Sequence, residues 1–448
     1  MRERPPLPPG PYLVVGLARS GAAAARALLA HGEVMGCDLG RPAGAEAIAG
    51  AGAEVHLESD GLEVLPRART VVKSPGVPAA APAVAAARAW GIDVVGELEV
   101  SWRMLPNEFV AVTGTNGKTT TVELLGEIHR AAGLPVAVAG NVGTALASLV
   151  GPGGPPPEAT VVCETSSFQL EDATTFAPEA AVLLNVTEDH IDRHGSIEAY
   201  REVKLRVFAH QRPGDAAVVP LGFETPPGAA RVVRFGSGPK VELGLVDGAL
   251  RWQGVPLIRV DEVCLRGAHN LENAMAASAT ALARGIDAEA VREALRTFAG
   301  VSHRLEEVAE RDGVLFVNDS KATNPDSARV GIEAFPGGVH AILGGSLKGG
   351  HFQSLRESVA ERCRAAYLIG EAADQLAADL EGTAPVVRCG SLAEAAERAA
   401  AAARPGEVVL LSPACASFDA FESFEHRGAA FRELARRLAG DEAGTPAG

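Results

Sequence analysis

Short apolar runs alternate with longer amphipathic, alanine-rich stretches along most of this 448-residue chain. YLVVG at 12–16 and FVAVTG at 109–114 have the length and β-branched content of buried strands, and each precedes a stretch with helical periodicity. The alternation restarts near residue 303, after a section at 216–265 in which strand-like runs follow one another. Strands that alternate with helices are typical of parallel β-α-β units. The pattern therefore predicts an α/β protein of three blocks, with added β structure at the end of the second.

Length, charge and cysteine usage narrow the classes of function. A chain of 448 residues exceeds the size at which one hydrophobic core stops growing, so several domains are expected. The formal net charge of −15 repels nucleic-acid phosphates. No apolar run reaches the ~18 residues of a membrane-spanning helix, and the N-terminus lacks the apolar segment of a secretory signal. The six cysteines are scattered without a C-x-x-C pair, as in reduced proteins. We therefore expect a cytoplasmic protein without nucleic-acid or membrane partners.

The segment TGTNGKTT at 113–120 joins a predicted strand to a predicted helix. Its glycines allow backbone N–H groups to turn inward around phosphate oxygens. Its lysine can reach the β- and γ-phosphates of a nucleotide, and its threonines can offer a hydroxyl to Mg²⁺. The strict phosphate-loop pattern G-x-x-x-x-G-K-[ST] is not met, because Val112 stands where its first glycine would be. A turn with only a structural role is therefore the alternative to a phosphate-binding loop. The context favours an ATP site, with predicted ligands Gly114, Thr115, Asn116, Gly117, Lys118, Thr119 and Thr120.

The first predicted strand is followed by G-L-A-R-S-G at 16–21, with Asp38 about twenty residues farther on. This approximates the dinucleotide fingerprint, in which glycines let a pyrophosphate approach a helix N-terminus. Ala18 replaces the middle glycine of that fingerprint. An NAD site, a nucleotide-diphosphate site and a tight packing turn all stay open on these residues, and the diphosphate site is favoured.

Further polar residues follow predicted strands of the second block. Glu164 lies in CETSSFQLE, and Asp189, His190 and His194 lie in NVTEDHIDRHG at 185–195. A zinc hydrolase is disfavoured because the H-E-x-x-H pattern is absent. Carboxylates and imidazole beside a phosphate loop suit Mg²⁺, which prefers oxygen ligands. We expect His194 itself to be a solvated loop histidine.

Lysine is rare in this chain, since only six of its 41 basic residues are lysine. A retained lysine indicates a position that needs a compact or titratable amine, which a guanidinium cannot supply. Lys118, Lys204, Lys321 and Lys348 lie inside motif-like segments, and Lys73 borders another. Taken alone, Lys204 is nevertheless expected to be an exposed lysine on a helix.

Three polar turns follow predicted strands of the third block. They are FVNDSKATNPDS at 316–327, GGSLKGG at 344–350 and LSPACASFDAFESFEHRG at 411–428. Because the carboxyl ends of parallel strands meet at one edge of a sheet, three such turns predict a ligand-binding rim.

Together these motifs resemble the Mur ligases of peptidoglycan precursor synthesis. The resemblance rests on TGTNGKTT, GNVG, ETSSFQLE, NVTEDHIDRHG, YREVKLR, HNLENAMAA, SHRLE, NDSKATN and SPACASFDAF, and it runs from about Gly16 to Gly428. ETSSFQLE and SPACASFDAFESFEHRG resemble the D-glutamate-adding branch, and the D-N-P-R signature of the diaminopimelate-adding branch is absent. The resemblance implies three α/β domains. They are a Rossmann-like UDP-binding domain at 1–100, a central P-loop ATPase-like domain with a parallel or mixed sheet at 101–302, and a Rossmann-like amino-acid-binding domain at 303–448.

The resemblance also implies the roles of individual residues. The catalytic set is Lys118, Glu164, His190 and Lys204, and the metal-organising set is Thr119, Glu164, His190 and Lys204. The UDP-substrate contacts are Ser20, Asp38, Ser74, Gly76, Asn141 and Ser166. Adenosine is surrounded by Asn273, His303, Arg304 and Asp319, and D-glutamate by Lys321, Thr323, Lys348, Ser417 and Phe424. In the family the lysine matching Lys204 is carbamylated, which gives a reason for lysine there, because a guanidinium cannot capture CO2.

The implied activity is ATP-dependent addition of D-glutamate to UDP-N-acetylmuramoyl-L-alanine (UDP-MurNAc-L-Ala) through an acyl phosphate. The implied enzyme is a monomer that uses Mg²⁺ at two sites. A folylpolyglutamate synthase-type or other Mur-family amide ligase is one alternative, and a nucleotide-binding protein that at most hydrolyses ATP is another. Arg19 and the spelling GGSLKGG depart from the family's pattern, and these departures concern the UDP contacts and Lys348.

Overall fold

The computed structural model describes residues 2–265, 267–347 and 351–440. Backbone contacts divide the chain into two compact units. One unit extends to Cys264 and includes Glu272–Phe298, and the other comprises Leu265–Leu271 and the chain from Ala299 onward. Two β-sheets belong to the first unit and one to the second. The predicted α/β class with parallel and mixed sheets is confirmed.

The first sheet consists of five parallel strands. Its strands are β1 (Tyr12–Val15), β2 (Val34–Asp38), β3 (Glu54–Leu57), β4 (Thr70–Lys73) and β5 (Asp93–Gly96). The helices are α1 (Arg19–Leu28), α2 (Ala45–Gly50), α3 (Pro82–Ala89) and α4 (Glu97–Met104). The strand order β3-β2-β1-β4-β5 reverses direction between β1 and β4. The loops after these two strands therefore open at a switch point, where α/β sheets bind ligands.

The second sheet has nine strands. They are β6 (Glu108–Thr113), β7 (Val136–Gly140), β8 (Thr160–Glu164), β9 (Ala180–Leu183), β10 (Ala216–Pro220), β11 (Arg231–Ser237), β12 (Leu243–Val246), β13 (Ala249–Trp252) and β14 (Val255–Arg259). The order is β14-β13-β12-β11-β10-β9-β6-β8-β7. Strands β6 to β12 pair in parallel, whereas β13 and β14 pair antiparallel. The predicted β-rich section at 216–265 is confirmed as this outer part of the sheet.

Helices of the second block follow the strands that carry the predicted chemistry. They are α5 (Lys118–Ala131), α6 (Ser167–Leu170), α7 (Ile191–His194), α8 (Ile197–Ala209), α9 (Ala268–Ala283) and α10 (Ala288–Thr297). Helix α5 starts directly after the phosphate loop, and α6 starts two residues after Thr165, which follows β8. The short α7 and the longer α8 follow β9.

The third sheet is parallel except at one edge. Its strands are β15 (Glu306–Arg311), β16 (Val314–Asn318), β17 (Val339–Gly344), β18 (Cys363–Ile369), β19 (Val386–Arg388) and β20 (Val408–Leu411). Its helices are α11 (Pro325–Glu333), α12 (Arg356–Arg362), α13 (Ala373–Asp379), α14 (Leu392–Ala402) and α15 (Phe424–Ala439). In the order β15-β16-β20-β17-β18-β19, the three strands before the predicted polar turns are neighbours. The turns therefore meet at one edge, and a bridge between Ser346 and Ala416 joins two of them.

Apolar cores explain why the strand sequences are nearly continuous hydrophobic runs. In β1, Leu13 and Val14 point into different clusters of buried side chains, one on each face of the first sheet. The third sheet likewise carries a core on each face. A parallel sheet covered by helices on both faces needs apolar residues at successive positions. No helix within the described ranges is long and apolar enough to cross a membrane.

Candidate active site

The phosphate loop after β6 is held in place by Asn185, which lies just past β9. The Asn185 Oδ1 accepts hydrogen bonds from the backbone N–H groups of Thr115 (3.1 Å) and Asn116 (2.9 Å). Gly117 has a φ of 83°, and a Cβ there would lie 2.1 Å from Oδ1 of Asn273. Only glycine fits this conformation and this space. The loop then enters the N-terminus of α5, where backbone N–H groups favour anions, so the predicted strand–loop–helix context is confirmed.

The side-chain nitrogens of two lysines converge on the carbonyl of Gly114. Lys118 donates from Nζ to the carbonyls of Gly114 (2.9 Å) and Thr115 (2.7 Å). Lys204, on α8, donates from Nζ to the same Gly114 carbonyl at 2.7 Å. Its Nζ also lies 4.4 Å from the ring centroid of Tyr200. The two lysines singled out in the second block therefore meet at the phosphate loop.

Lys204 is 1% exposed, so the expectation of an exposed helical lysine is wrong. Tyr200, Lys204 and Phe208 recur every four residues on α8, which places them on the buried face of the helix. Burial, assisted by the positive charge of Lys118, lowers the pKa of Lys204 to about 6. The side chain therefore carries a neutral amine at physiological pH. The four-residue spacing of two aromatic residues around the lysine was the sequence signal for this burial.

Glu164, the last residue of β8, connects α5 to the loop after β7. Thr119 donates from Oγ1 to Glu164 Oε2 at 2.7 Å, and Asn141 donates from Nδ2 to Oε1 at 3.1 Å. Arg19 donates from Nη2 to the Asn141 carbonyl at 3.1 Å. These contacts bring together the predicted metal ligands Thr119 and Glu164 and the predicted substrate contact Asn141. Arg19, the departure from the family's pattern, joins them from the first residue of α1.

The two histidines near α7 have different environments. His190 precedes α7 with a φ of 53°, and its ring centroid lies 4.8 Å from that of Phe168. His190 Nε2 is 3.5 Å from a carboxylate oxygen of Asp189. The His194 side chain is 3% exposed, and its Nε2 lies 3.0 Å from Ser167 Oγ. The prediction of a solvated His194 is wrong, because α7 turns this residue onto α6, and burial lowers its pKa.

Predicted UDP contacts lie around the switch point of the first sheet. Asp38 accepts hydrogen bonds from the backbone N–H groups of Leu17 (2.7 Å) and Gly40 (2.8 Å). A Cβ at Gly21 would lie 1.8 Å from the carbonyl oxygen of Gly16, so α1 can pack this closely on the turn only with glycine. The other predicted contacts here are Ser20 in α1, the buried Ser74 after β4 and the exposed Gly76. Their contact with UDP stays a prediction.

Ser166, a predicted muramoyl contact, forms the N-terminal cap of α6. Its Oγ accepts from the backbone N–H of Gln169, and the Gln169 side chain accepts from the backbone N–H of Ser166. Thr120 is buried in the first turn of α5. Both residues therefore lie in rigid helix starts beside Glu164 and the phosphate loop.

In the second unit, Asp319 forms the centre of a polar cluster after β16. Asp319 accepts from Ser412 Oγ at 2.7 Å and from the backbone N–H of Leu305 at 3.3 Å. Burial raises its pKa to about 7, against the opposing effects of Ser412 and Arg304. His303 has a φ of 65°, and its backbone carbonyl accepts a hydrogen bond from the backbone N–H of Lys321 at 3.0 Å. His303, Arg304 and Asp319 thus form one cluster with Lys321.

The predicted D-glutamate contacts lie on the same rim. Lys321 Nζ is 5.5 Å from the ring centroid of Phe424, and the backbone N–H of Thr323 donates to the Lys321 carbonyl at 2.8 Å. Ser417, in the loop after β20, is buried. Lys348 lies outside the described residues.

Arg427 is a residue of this rim that the sequence interpretation missed. Its guanidinium donates to the Ser320 hydroxyl (3.0 Å) and carbonyl (2.9 Å) and to the carbonyls of Cys415 (3.0 Å) and Ala416 (3.1 Å). The side chain is 1% exposed, and burial lowers its pKa to about 10, so it stays charged at neutral pH. Arg427 thereby fixes two of the three turns. In a chain whose cations are mostly arginine, composition gives no signal for it.

The oxygen donors beside the phosphate loop suit Mg²⁺ held jointly with a nucleotide. In the part of the chain that the structure describes, no group of three or more His, Cys, Asp or Glu side chains is placed to hold a metal alone. Thr119 and Glu164 supply a hydroxyl and a carboxylate next to the loop. Mg²⁺ commonly binds one or two carboxylates together with substrate phosphates, so this donor set fits it.

Comparison with known proteins assigns the chain to a family. Three family models match in order: the Mur ligase MurD-like N-terminal domain at residues 11–96, the Mur ligase middle domain at 112–281 and the Mur ligase glutamate ligase domain at 303–415. The chain is 42% identical over 440 residues to UDP-N-acetylmuramoylalanine–D-glutamate ligase of Acidobacterium capsulatum, covering 94% of this chain and 95% of the relative. It is 43% identical over 444 residues to the enzyme of the same name from Pelotomaculum thermopropionicum, covering 95% and 97%.

Solved structures agree at the level of the fold. The crystal structure of MurF ligase from Thermotoga maritima in complex with ADP matches with a TM-score of 0.58 at 19% identity. That match covers 98% of this chain and 96% of the MurF chain. From the three matched domains and the full-length relatives together, the protein belongs to the Mur ligase family.

Proposed function

We infer that this protein is an ATP-dependent ligase that joins D-glutamate to UDP-MurNAc-L-Ala in peptidoglycan precursor synthesis. The observation that carries this inference is identity above 40% over nearly the full length to two D-glutamate ligases. The contacts of Lys118, Glu164 and Lys204 with the phosphate loop support the ATP-dependent chemistry of this inference.

The first chemical step is attack of the substrate's L-alanyl carboxylate on the γ-phosphorus of ATP, with ADP as the leaving group. Lys118 stabilises negative charge on the transferring phosphoryl group. To do so, its ammonium exchanges the carbonyls of Gly114 and Thr115 for phosphate oxygens. The step yields an acyl phosphate. Asn141 and Ser166 hold the muramoyl end close to Glu164, as their positions support.

When bound, Mg²⁺ supplies charge neutralisation on the phosphates. We propose two sites, one held by Thr119 and Glu164 and the other organised by His190 and Lys204. Lys204 enters the second site as a carbamate. Its neutral amine attacks CO2, a C–N bond forms and one proton is released, which turns a donor group into a carboxylate. The lowered pKa of Lys204 supports this reaction, because only the unprotonated amine is nucleophilic.

The second step is attack of the D-glutamate amine on the acyl phosphate. The tetrahedral intermediate releases inorganic phosphate and leaves the amide bond. We assign D-glutamate to the rim of the third sheet, with Lys321, Thr323, Lys348, Ser417 and Phe424 as its contacts. Asn273, His303, Arg304 and Asp319 are assigned to adenosine, and Ser20, Asp38, Ser74 and Gly76 to the UDP group.

We further propose that the enzyme acts as a cytoplasmic monomer on small-molecule substrates, without nucleic-acid or membrane partners. Its domains extend over 1–100, 101–302 and 303–448. Light scattering of the purified protein at micromolar concentration tests the monomer. A monomer should give the mass of 46.1 kDa calculated from the sequence, and a dimer would give twice that value.

The deciding experiment measures ADP release with UDP-MurNAc-L-Ala and ATP in the presence of D-glutamate, L-glutamate, L-alanine or diaminopimelate. We expect release only with D-glutamate. A parallel reaction with folate and L-glutamate tests the folylpolyglutamate synthase-type alternative. ADP release that does not depend on any amino acid would instead identify an ATP hydrolase, and release with another amino acid would reassign the branch of the family.

A further inference from the structure

A cluster of ion pairs around the buried ammonium of Lys73 joins the first and second sheets at the turn after β4. Lys73, the last residue of β4, donates from Nζ to the Val77 carbonyl at 2.9 Å. Arg193 of α7 donates from Nη2 to the same carbonyl at 3.1 Å. Glu171 and Asp172, just past α6, are the anionic partners of the two cations. These residues are named the Val77 cluster: Lys73, Val77, Glu171, Asp172 and Arg193.

Every charge in the Val77 cluster has a close opposite charge. Lys73 Nζ lies 2.9 Å from a carboxylate oxygen of Asp172 and 3.7 Å from one of Glu171. Arg193 binds both oxygens of Glu171, at 3.0 and 2.6 Å. Arg88 adds a contact of 2.8 Å to Asp172 from the exposed side. Buried ions persist in this way only when they are paired and hydrogen-bonded.

The geometry explains why Lys73 is one of the chain's few lysines. Its side chain is 1% exposed, and its ammonium faces three oxygens, those of Val77, Asp172 and Glu171. An ammonium has three donors on a compact head, whereas a guanidinium is a wide planar fork. Arg193, by contrast, uses that fork for the two oxygens of Glu171.

The Val77 cluster connects three segments that carry proposed substrate or metal contacts. Val77 closes the turn that contains Ser74 and Gly76, and its N–H donates to the Ser74 carbonyl at 3.0 Å. Glu171 and Asp172 end the short helix that Ser166 caps. The Arg193 guanidinium lies 5.0 Å from the ring centroid of Phe168, and that ring also packs against the rings of His190 (4.8 Å) and His194 (5.8 Å).

We propose that Lys73 and Arg193 are positioning residues that fix the UDP-binding turn relative to the phosphoryl-transfer centre. They act through the Val77 carbonyl, and Arg193 acts also through Phe168 on His190. The chain thereby sets the distance between the nucleotide end of UDP-MurNAc-L-Ala and its reacting carboxylate. This role rests on the proposed function. A purely structural role for the cluster predicts loss of stability without any change in substrate affinity.

The first test compares Lys73→Met and Arg193→Met with the wild type by steady-state ADP release and by calorimetric binding of UDP-MurNAc-L-Ala. In both variants we expect KM and Kd for UDP-MurNAc-L-Ala to rise at least tenfold. KM for ATP and for D-glutamate should stay within twofold in Lys73→Met. Arg193→Met should also lose at least tenfold in kcat, because the Phe168–His190 contact loses its support. Arg193→Lys keeps the charge and should recover part of the affinity.

A matched control removes a cation from a surface ion pair. Arg201 pairs with Glu224 at 2.9 Å, and the side chains are 39% and 56% exposed. Arg201→Met should leave every KM and Kd unchanged. A tenfold effect there would overturn the proposal, because it would show a general response to lost positive charge.

The double variant Lys73→Met/Asp172→Leu separates positioning from stability. It removes a buried carboxylate that in Lys73→Met keeps only the half-exposed Arg88 as a cationic partner, so Tm should recover toward the wild-type value. The bond from Lys73 to Val77 remains absent, so KM for UDP-MurNAc-L-Ala should stay at least tenfold high. Recovery of KM together with Tm would overturn the positioning role, as would single variants with unchanged KM. Wild-type D-glutamate-dependent ADP release is measured first, and its absence would overturn the proposed function itself.

Discussion

Replacing Lys204 by methionine is expected to stabilise the free protein while abolishing ligation. The pKa of Lys204 falls from the ordinary 10.5 to about 6 in the fold. At pH 7.5 the unfolded chain therefore holds a proton that the folded chain has released. Three pH units separate pH 7.5 from the ordinary pKa, and at about 1.4 kcal/mol per unit this costs the fold roughly 4 kcal/mol.

Methionine removes that cost and keeps most of the side-chain volume. It also removes the hydrogen bond to the Gly114 carbonyl, which is worth about 1 kcal/mol, although Lys118 still donates to that carbonyl. The net expectation is a gain of about 3 kcal/mol in the free energy of unfolding at pH 7.5. ADP release should be lost, because methionine cannot form a carbamate.

The pH dependence gives the sharper measurement. Between the folded pKa near 6 and the unfolded value of 10.5, the unfolded chain binds more protons than the fold. The wild type therefore gains stability as pH rises through this window, by roughly 2–3 kcal/mol between pH 6.5 and 8.5 from this group alone. Lys204→Met should lack this gain. Urea unfolding at the two pH values, followed by tryptophan fluorescence, measures the difference.

Lys240→Met is the matched control, because Lys240 is exposed. It should keep the wild-type pH dependence and full activity. If Lys204→Met also keeps the wild-type pH dependence, Lys204 is charged in the fold and the reasoning fails. If Lys204→Met remains active in CO2-free buffer without added short carboxylates, the carbamate assignment fails.

Four further outcomes follow from the structure. Gly117→Ala should weaken ATP binding more than tenfold in calorimetry while leaving UDP-MurNAc-L-Ala binding unchanged, because the added Cβ collides with Asn273 at a positive φ. Asp38→Ala removes the carboxylate that accepts hydrogen bonds from the backbone N–H groups of Leu17 and Gly40. Kd for the UDP substrate should therefore rise ten- to a hundredfold, or by about 1.4–3 kcal/mol in binding free energy, while Kd for ATP stays unchanged. Burial raises the pKa of Asp319 from 3.8 to about 7. Between pH 3.8 and pH 7 the folded chain therefore holds a proton on this carboxyl that the unfolded chain has released, so the wild type loses stability as the pH rises through this range. Asp319→Asn should abolish that decline in Tm between pH 5 and 7, and an unchanged decline would contradict the buried protonated carboxyl. Chelation of Mg²⁺ by EDTA should stop ADP release, and excess Mg²⁺ should restore it; full activity in EDTA would exclude the metal role.

The sequence predicted those features that depend on short-range pattern. Apolar runs such as FVAVTG are long enough and flanked clearly enough to predict strands. TGTNGKTT predicts the turn between β6 and α5 because glycines allow the backbone conformations that such a loop needs. The rim of the third sheet was predictable for a related reason. Three polar turns follow strands that are all parallel, and parallel strands direct their carboxyl ends to one edge.

What the pattern did not predict depends on contacts between distant segments. Lys204 is buried because α8 packs its Tyr200–Phe208 face inward, and the His194 side chain is covered because α7 turns it onto Ser167 of α6. The role of Asn185 depends on the adjacency of β6 and β9, which are separated by two other strands in sequence. Arg427 holds turns that are about a hundred residues apart along the chain.

The amide of Asn185 also bears on the kinetics of nucleotide capture. Because this side chain already holds two backbone N–H groups of the loop, the backbone of the loop is ordered before any ligand arrives. A preordered loop loses little conformational entropy on binding, so we expect that folding of the loop does not limit the association rate of the nucleotide assigned to it. On the proposed function, the rearrangement that binding requires is the release of the Gly114 and Thr115 carbonyls by the Lys118 side chain. We therefore expect ATP and ADP to differ more in dissociation rate than in association rate.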